Sequence, residues 1–229
     1  LRRLIEALEG QWPDRVTGDI TCDLHVIQRL QSVLRQGKWH VTVALRDGHQ
    51  IVAIWPGLKD QIAGVAIDVG STTMSAHLCD MVTGTVLAST GAMNPQIRFG
   101  EDLMSRVSYG IMNPGGAAEM TKAVIAGLQT LIDGAAKQAG LSGKDIVELV
   151  LVGNPVMHHL LLGIDPVELG GAPFALGFDA AMDVRAAELG LAINPGGRVF
   201  ILPCIAGHVG ADAAAVVLAE AGEKADEMT

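Results

Sequence analysis

Gly64-Val65-Ala66-Ile67-Asp68-Val69-Gly70-Ser71-Thr72-Thr73 is the stretch whose reading decides the fold of this chain. Gly64 to Ile67 is a short apolar run that ends in an aspartate, the pattern of a buried strand carrying a carboxylate to its tip. A tight Gly-Ser-Thr-Thr turn follows, then a second strand from Met74 to Cys79. Val82-Thr83-Gly84 turns the chain again, and Thr85 to Ser89 reads as a third strand. Glycine lets backbone approach a ligand closely, turn amides and hydroxyls donate to phosphate oxygens, and a carboxylate can hold Mg²⁺ through water. The segment therefore reads as a polyphosphate holder, with Asp68 for the metal and Gly70, Ser71, Thr72 and Thr73 for the phosphates. The competing reading is an ordinary glycine-turn hairpin.

Downstream of this meander, Met93-Asn94-Pro95-Gln96 reads as an irregular loop and Gly100 to Tyr109 as a short helix with Glu101 and Asp102 in its first turn, where acids favour the helix dipole. Pro114-Gly115-Gly116 breaks it, and Ala117 to Gly140 keeps helical periodicity through Met120, Val124, Leu128, Leu131 and Ile132. Val147 to Val152 is wholly apolar, as a strand buried on both faces is. Gly153-Asn154-Pro155 then opens a helix, Val156 to Leu162. The Gly/Ala/Pro-rich stretch 170–195 predicts one helix, Val184 to Leu189. Arg198 to Leu202 reads as a strand and Gly207 to Ala221 as a small-residue helix. The order β-β-β-α-α-β-α-β-α predicts a mixed sheet with helices on its faces, antiparallel first and parallel afterwards.

Upstream, Leu1 to Leu8 and Leu24 to Arg35 have helical spacing, the second with Asp23 as its cap. Lys38 to Arg46 and Gln50 to Trp55 form a hairpin around Asp47-Gly48, and Pro56 to Asp60 is a linker. Two units are expected: a small α+β module at 1–57 and a larger α/β unit at 61–229.

With 49% apolar and 18% charged residues in 229, the chain can bury a sizeable core, built of aliphatic side chains because aromatics are only 3%. A formal charge of −9 argues against nucleic acid or an anionic membrane as partner, yet leaves room for one local Mg-nucleotide site. Cys22, Cys79 and Cys204 are odd in number and far apart, so the chain supplies neither a disulfide framework nor an iron–sulfur or zinc ligand set. Free thiols fit a reducing cytoplasm. The longest apolar tract, 149–164, contains Asn154, Pro155 and two histidines and is no membrane span. His158 and His159 read as helix packing, one facing away from the other. Met74, Met93, Met104 and Met112 read as core filler, and Trp12, Trp39 and Trp55 as exposed.

The stretch Gly64 to Thr73 resembles the first phosphate motif of the acetate/sugar kinase–Hsp70–actin (ASKHA) superfamily, and the strand–helix order resembles one half of that duplicated, ribonuclease-H-like fold. The segments Leu78 to Gly84, Asn94 to Val107, Gly153 to Pro166, Pro173-Phe174 and Pro203 to Asp212 together resemble the ATP-dependent reductive activators of corrinoid proteins. Leu24 to Thr42 resembles the domain that precedes the ATPase domain there. That resemblance implies an activator that passes an electron from its own iron–sulfur cluster to an inactive Co(II) corrinoid on a methyl-transfer protein, with ATP and Mg²⁺ as cofactors. It implies Asp68 as the residue orienting Mg²⁺, Ser71 to Thr73 at the β/γ-phosphates, Gly153 and Asn154 at nucleotide or water, Glu101 or Asp102 at Mg²⁺ or the attacking water, and Asp212 near the cleft floor. The iron–sulfur domain and the second Asp-Ile-Gly-type phosphate motif of such proteins lie outside this sequence. The expectation is a first ATPase lobe with half an ATP site, inactive alone and binding ATP weakly. A homodimer is left open. Two alternatives stand beside it: another ASKHA phosphotransferase, and a non-catalytic docking module.

Overall fold

The computed structural model describes residues 1–224. Two sheets organise them. The smaller has three strands in the order β1-β3-β2: β1 (Thr21–Cys22), β2 (Val41–Arg46) and β3 (Gln50–Pro56). α1 (Arg2–Gln11) and α2 (Leu24–Gln36) pack beside it around Leu8, Val26, Leu30, Val33, Ile51 and Ile54. β1 is too short to show a period, and Lys38 and Trp39 take positive φ before β2 begins, which is why that strand starts later than its alternation suggests.

The larger sheet has six strands in the order β6-β5-β4-β7-β9-β8. β4 (Ala63–Val69), β5 (Thr73–Asp80) and β6 (Val86–Met93) form the antiparallel meander, while β7 (Ile146–Gly153) and β9 (Arg198–Ile201) add in parallel, as expected. On one face Val65, Ile67 and Val69 of β4 join Met74, Ala76, Leu78, Leu149 and Leu151 beneath α3 (Leu103–Met112), α4 (Gly116–Gln138) and α5 (Pro155–Leu162). Those side chains alternate with outward ones, so burial of apolar area, about 25 cal/mol per Å², acts on one face.

The other face is largely open, and this corrects the reading of β7: Val150 and Val152 are only half-buried. Near the cleft, among the described residues, it meets α6 (Ala211–Lys224), which starts four residues later than Gly207 because Ala206 and Val209 close a bridged turn first.

The expected helix Val184–Leu189 is absent. Its first half belongs to β8 (Met182–Arg185), an edge strand antiparallel to β9, and Ala186–Leu189 is one 3-10 turn. Four residues alternating around Asp183 and Arg185 satisfy a strand edge better than one short turn of helix does. Pro95–Phe99 is a 3-10 turn rather than a loop, and β6 runs on to Met93. The methionines divide. Met74 is in the core, whereas Met93, Met104 and Met112 are 71%, 48% and 72% exposed, so three of the four are surface residues. Trp12 and Trp39 are exposed as expected, but Trp55 is half-buried in β3.

The module and the larger sheet are bonded to each other. Arg46 pairs with Asp183, Arg185 donates to Asp23 at 3.2 Å, and Lys59 meets Asp145 at 2.9 Å. Asp23 therefore does not close α2 with its side chain; it accepts from Gln50 and Arg185 instead.

Candidate nucleotide site

β4 and β7 run parallel with Asp68 beside Val152 and Val69 beside Gly153, so the carboxylate and the Gly153-Asn154 turn leave the sheet at the same edge. Open α/β sheets bind ligands at that carboxyl edge. Between β4 and β5 the hairpin is tight: a Cβ on Gly70 would lie 2.3 Å from the Thr73 carbonyl oxygen, so only glycine fits. Ser71, Thr72 and Thr73 all reach the surface there. At the neighbouring strand end, a Cβ on Gly210 would lie 2.5 Å from both the Gly153 carbonyl oxygen and the Asn154 Cα. This contact seats the N-terminus of α6 directly on β7 and brings Asp212 toward Asp68.

The Asp68 carboxyl is on the open face of the sheet. Its pKa is raised above the usual carboxylate range, first by partial desolvation in the cleft and then by the like charge of Asp212. The like charge that Asp212 sets against Asp68 would be relieved by a cation between them. Among the described residues no cluster of three or more His, Cys, Asp or Glu side chains could hold a metal. A pair of carboxylates suits Mg²⁺ held through its waters, since that ion keeps several waters and takes further ligands from phosphate.

Behind the hairpin lies a buried polar group that the sequence reading quoted only as motif. Asn94, Gln96 and Arg106 are all buried, Arg106 at 0% exposure. Arg106 donates Nη2 to the Ser71 carbonyl, Nε to the Gly100 carbonyl at 3.0 Å and Nη1 to Gln96 Oε1 at 3.3 Å. Asn94 donates Nδ2 to the Gly70 carbonyl at 2.8 Å and caps the next turn by accepting from the Gln96 N–H. Burial of Arg106 had a signal in the sequence: Leu103, Arg106 and Val107 are spaced i, i+3, i+4, which puts the arginine on the core side of α3.

Glu101 and Asp102 precede α3 rather than lying in its first turn. Asp102 caps the helix by accepting from the Ser105 N–H at 2.7 Å, and that bond holds its carboxyl below the usual range. Glu101 is exposed beside it. Asn154 also caps, accepting from the Met157 N–H at 3.0 Å. The two histidines are packing residues, as expected: both are buried, and their rings have different neighbours. His159 is bonded to Pro155 and Gly177 through its two ring nitrogens. His158 has no partner at either nitrogen and stacks on Phe178, and burial pushes its pKa down to about 4. An apolar groove of about 940 Å³ lies elsewhere, between α1 and the β2 side of the small sheet. No helix among the described residues is long and apolar enough to cross a membrane.

Residues 63–224 match the family described as the RACo middle region, and residues 1–61 match the RACo linker region. The corrinoid activation enzyme RamQ of Eubacterium limosum is 32% identical over 237 residues, covering 94% of this chain and 39% of that protein. A solved reductive activator for corrinoid, iron–sulfur protein is similar with a TM-score of 0.79 and 34% identity, covering 94% of this chain and 34% of its own. The chain thus spans between a third and two fifths of the length of these relatives.

Proposed function

This chain belongs to the RACo family, and on that premise we propose that it grips the phosphates of Mg-ATP within a reductive activator that returns a Co(II) corrinoid protein to Co(I). In this reading the unit from Gln61 onward is a first ATPase lobe and residues 1–57 are a separate module that joins it to the electron-delivering part. One observation carries the reading. Asp68 with the Gly70–Thr73 hairpin, Gly153-Asn154 and Asp212 come from three separate segments and meet at one carboxyl edge of an open sheet.

Asp68 and Asp212 would hold the waters of Mg²⁺, and the hairpin amides and hydroxyls would bind phosphate oxygens. Gly153 lets Val69 and Met157 pack closely beneath the turn, a Cβ there lying 3.0 Å from the Val69 carbonyl oxygen and 3.3 Å from Met157 Cβ. Asp102 is engaged as a cap, and Glu101 beside it is exposed, so of the two acids Glu101 is the one whose carboxylate would be available to orient water. Bound ATP supplies the hydrolysis that drives an uphill reduction, the electron coming from an iron–sulfur domain outside this chain. The names of the two relatives support the corrinoid partner, and the charge of −9 supports a protein rather than nucleic acid as that partner.

The test uses the full-length protein with its corrinoid partner. Asp68→Asn keeps the shape and removes the charge. ATP hydrolysis and the appearance of Co(I) absorbance should both fall by about two orders of magnitude or more, as when one preorganised electrostatic group is lost. Parent-level hydrolysis by the Asn variant would remove Asp68 from the site.

A further inference from the structure

Arg106 is a fully buried cation with no carboxylate at ion-pair distance among the described residues; Asp102, at the start of α3, acts on it only from farther away. The ion pairs among the described residues use Arg2, His25, Arg46, Lys59, Arg185 and Arg198. Arg106 bonds only to two carbonyls, one amide oxygen and the Met157 sulfur. Burying an ion leaves a penalty of several kcal/mol unless an opposite charge is close by. Its Nη2 is directed at the hairpin, where it bonds the Ser71 carbonyl.

The direction of the hairpin peptides follows from those bonds. In a trans peptide the N–H points opposite to the C=O. The Gly70 carbonyl accepts from Asn94 Nδ2, the Ser71 carbonyl from Arg106, and the Thr72 carbonyl from the Asn94 N–H at 2.8 Å. Three successive carbonyls are thus bound from behind. The N–H groups of Ser71 and Thr72 must then face the cleft, and among the described residues neither has an acceptor in the chain. Successive amides aimed one way form an anion-binding concavity.

We propose that Arg106 is the positioning residue of this hairpin: with Asn94 it fixes the carbonyls inward and the amides outward, and its charge favours a phosphate in the cleft. The occupant it selects is a phosphoryl group with roughly two negative charges, not a nucleoside. This rests on the nucleotide reading above and adds to it a residue that touches no ligand. Arg106 acts through Ser71. Its first consequence is that the buried charge, unfavourable in the free protein, is compensated when phosphate binds.

Calorimetric titration of the full-length protein with Mg-ATP and with adenosine tests this. Arg106→Met removes the buried charge and frees the Ser71 carbonyl to turn, so Mg-ATP binding should weaken by roughly 10-fold or more, each factor of ten being about 1.4 kcal/mol. Adenosine affinity should not change, and Arg106→Lys should recover part of the loss. Equal losses for both ligands would mean a merely structural role, and an unchanged Mg-ATP affinity would mean none; either result overturns the proposal. If Arg106→Met does not fold, ¹⁵N-Ser/Thr labelling of the parent protein decides. The Ser71 and Thr72 amide resonances should shift on adding tripolyphosphate and stay in place with adenosine. Amides that do not move with tripolyphosphate overturn the proposal. A parent protein that shows those shifts yet binds no Mg-ATP would instead retire the nucleotide reading and leave the role of Arg106 intact.

Discussion

Gly210 joins α6 to the strand end, and replacing it with alanine should open the site. The added Cβ would lie 2.5 Å from the Gly153 carbonyl oxygen and from Asn154 Cα, and 2.7 Å from Asp212 Oδ1. Ordinary contact begins near 3.4 Å, so about 0.9 Å must be found. Gly153 can supply little of it, because it is held in register beside Val69 of β4 and a strand flanked on both sides as far as Leu151 leads into it. The start of α6 must move, and Asp212 moves with it. Overpacking of this kind costs about 1–3 kcal/mol. For a chain of this size that is roughly 3–10 °C in Tm. As Asp212 withdraws, the Asp68 carboxyl should titrate closer to its ordinary value, since one cause of its raised pKa is gone. Thermal melts and carboxyl ¹³C titration measure the two effects. Gly10→Ala is the control: it has nothing within 4 Å, lies inside α1, and should be neutral or mildly stabilising. A Gly210→Ala chain that melts within about 1 °C of the parent, with Asp68 titrating unchanged, would refute the close seating of α6.

Two further outcomes follow from buried or crowded titratable groups. His158 has a folded pKa of about 4, below the 6.5 of a free imidazole, so the native state prefers it neutral. The chain should therefore lose stability as pH falls from 6.5 toward 4, by up to a few kcal/mol. His158→Phe should flatten that acid limb in urea melts at pH 5 and 7.5, and parallel limbs would show that His158 does not cause it. Asp68 has the opposite sign. Its raised folded pKa means the charged form is disfavoured in the native state at neutral pH. Asp68→Asn should raise stability at pH 7, by less than about 1 kcal/mol because the group is largely exposed, and the gain should vanish toward pH 3. An Asn variant less stable than the parent at pH 7 would contradict the crowding of Asp68 by Asp212.

Much of the fold was legible because its signals are local. The apolar run into Asp68, the Gly-Ser-Thr-Thr turn and the apolar β7 each declare themselves within ten residues, and the structure places the corresponding strands side by side. The failures are equally physical. Val184 to Leu189 has no strong period, and a place at the sheet edge beside β9 decided it. Met93, Met104 and Met112 look like core residues by composition, but methionine is tolerated on either side of a surface, and only packing assigns the side. Glu101 and Asp102 stand out in the sequence as acids, whereas the residue that touches the hairpin is the arginine four to five positions later.

The sequence by itself determined that a strand ends in a carboxylate beside a hydroxyl-bearing turn, because a strand and its hairpin are specified by neighbours along the chain. Only the tertiary structure decided what stands behind and across from that turn. Arg106 reaches Ser71 over a separation of 35 residues, and Gly210 brings Asp212 to a strand end more than fifty residues before it. Contacts at such separations leave no periodic trace in the sequence; they exist only once α3 to α5 have filled one face of the sheet and the start of α6 has settled at the carboxyl edge of the other.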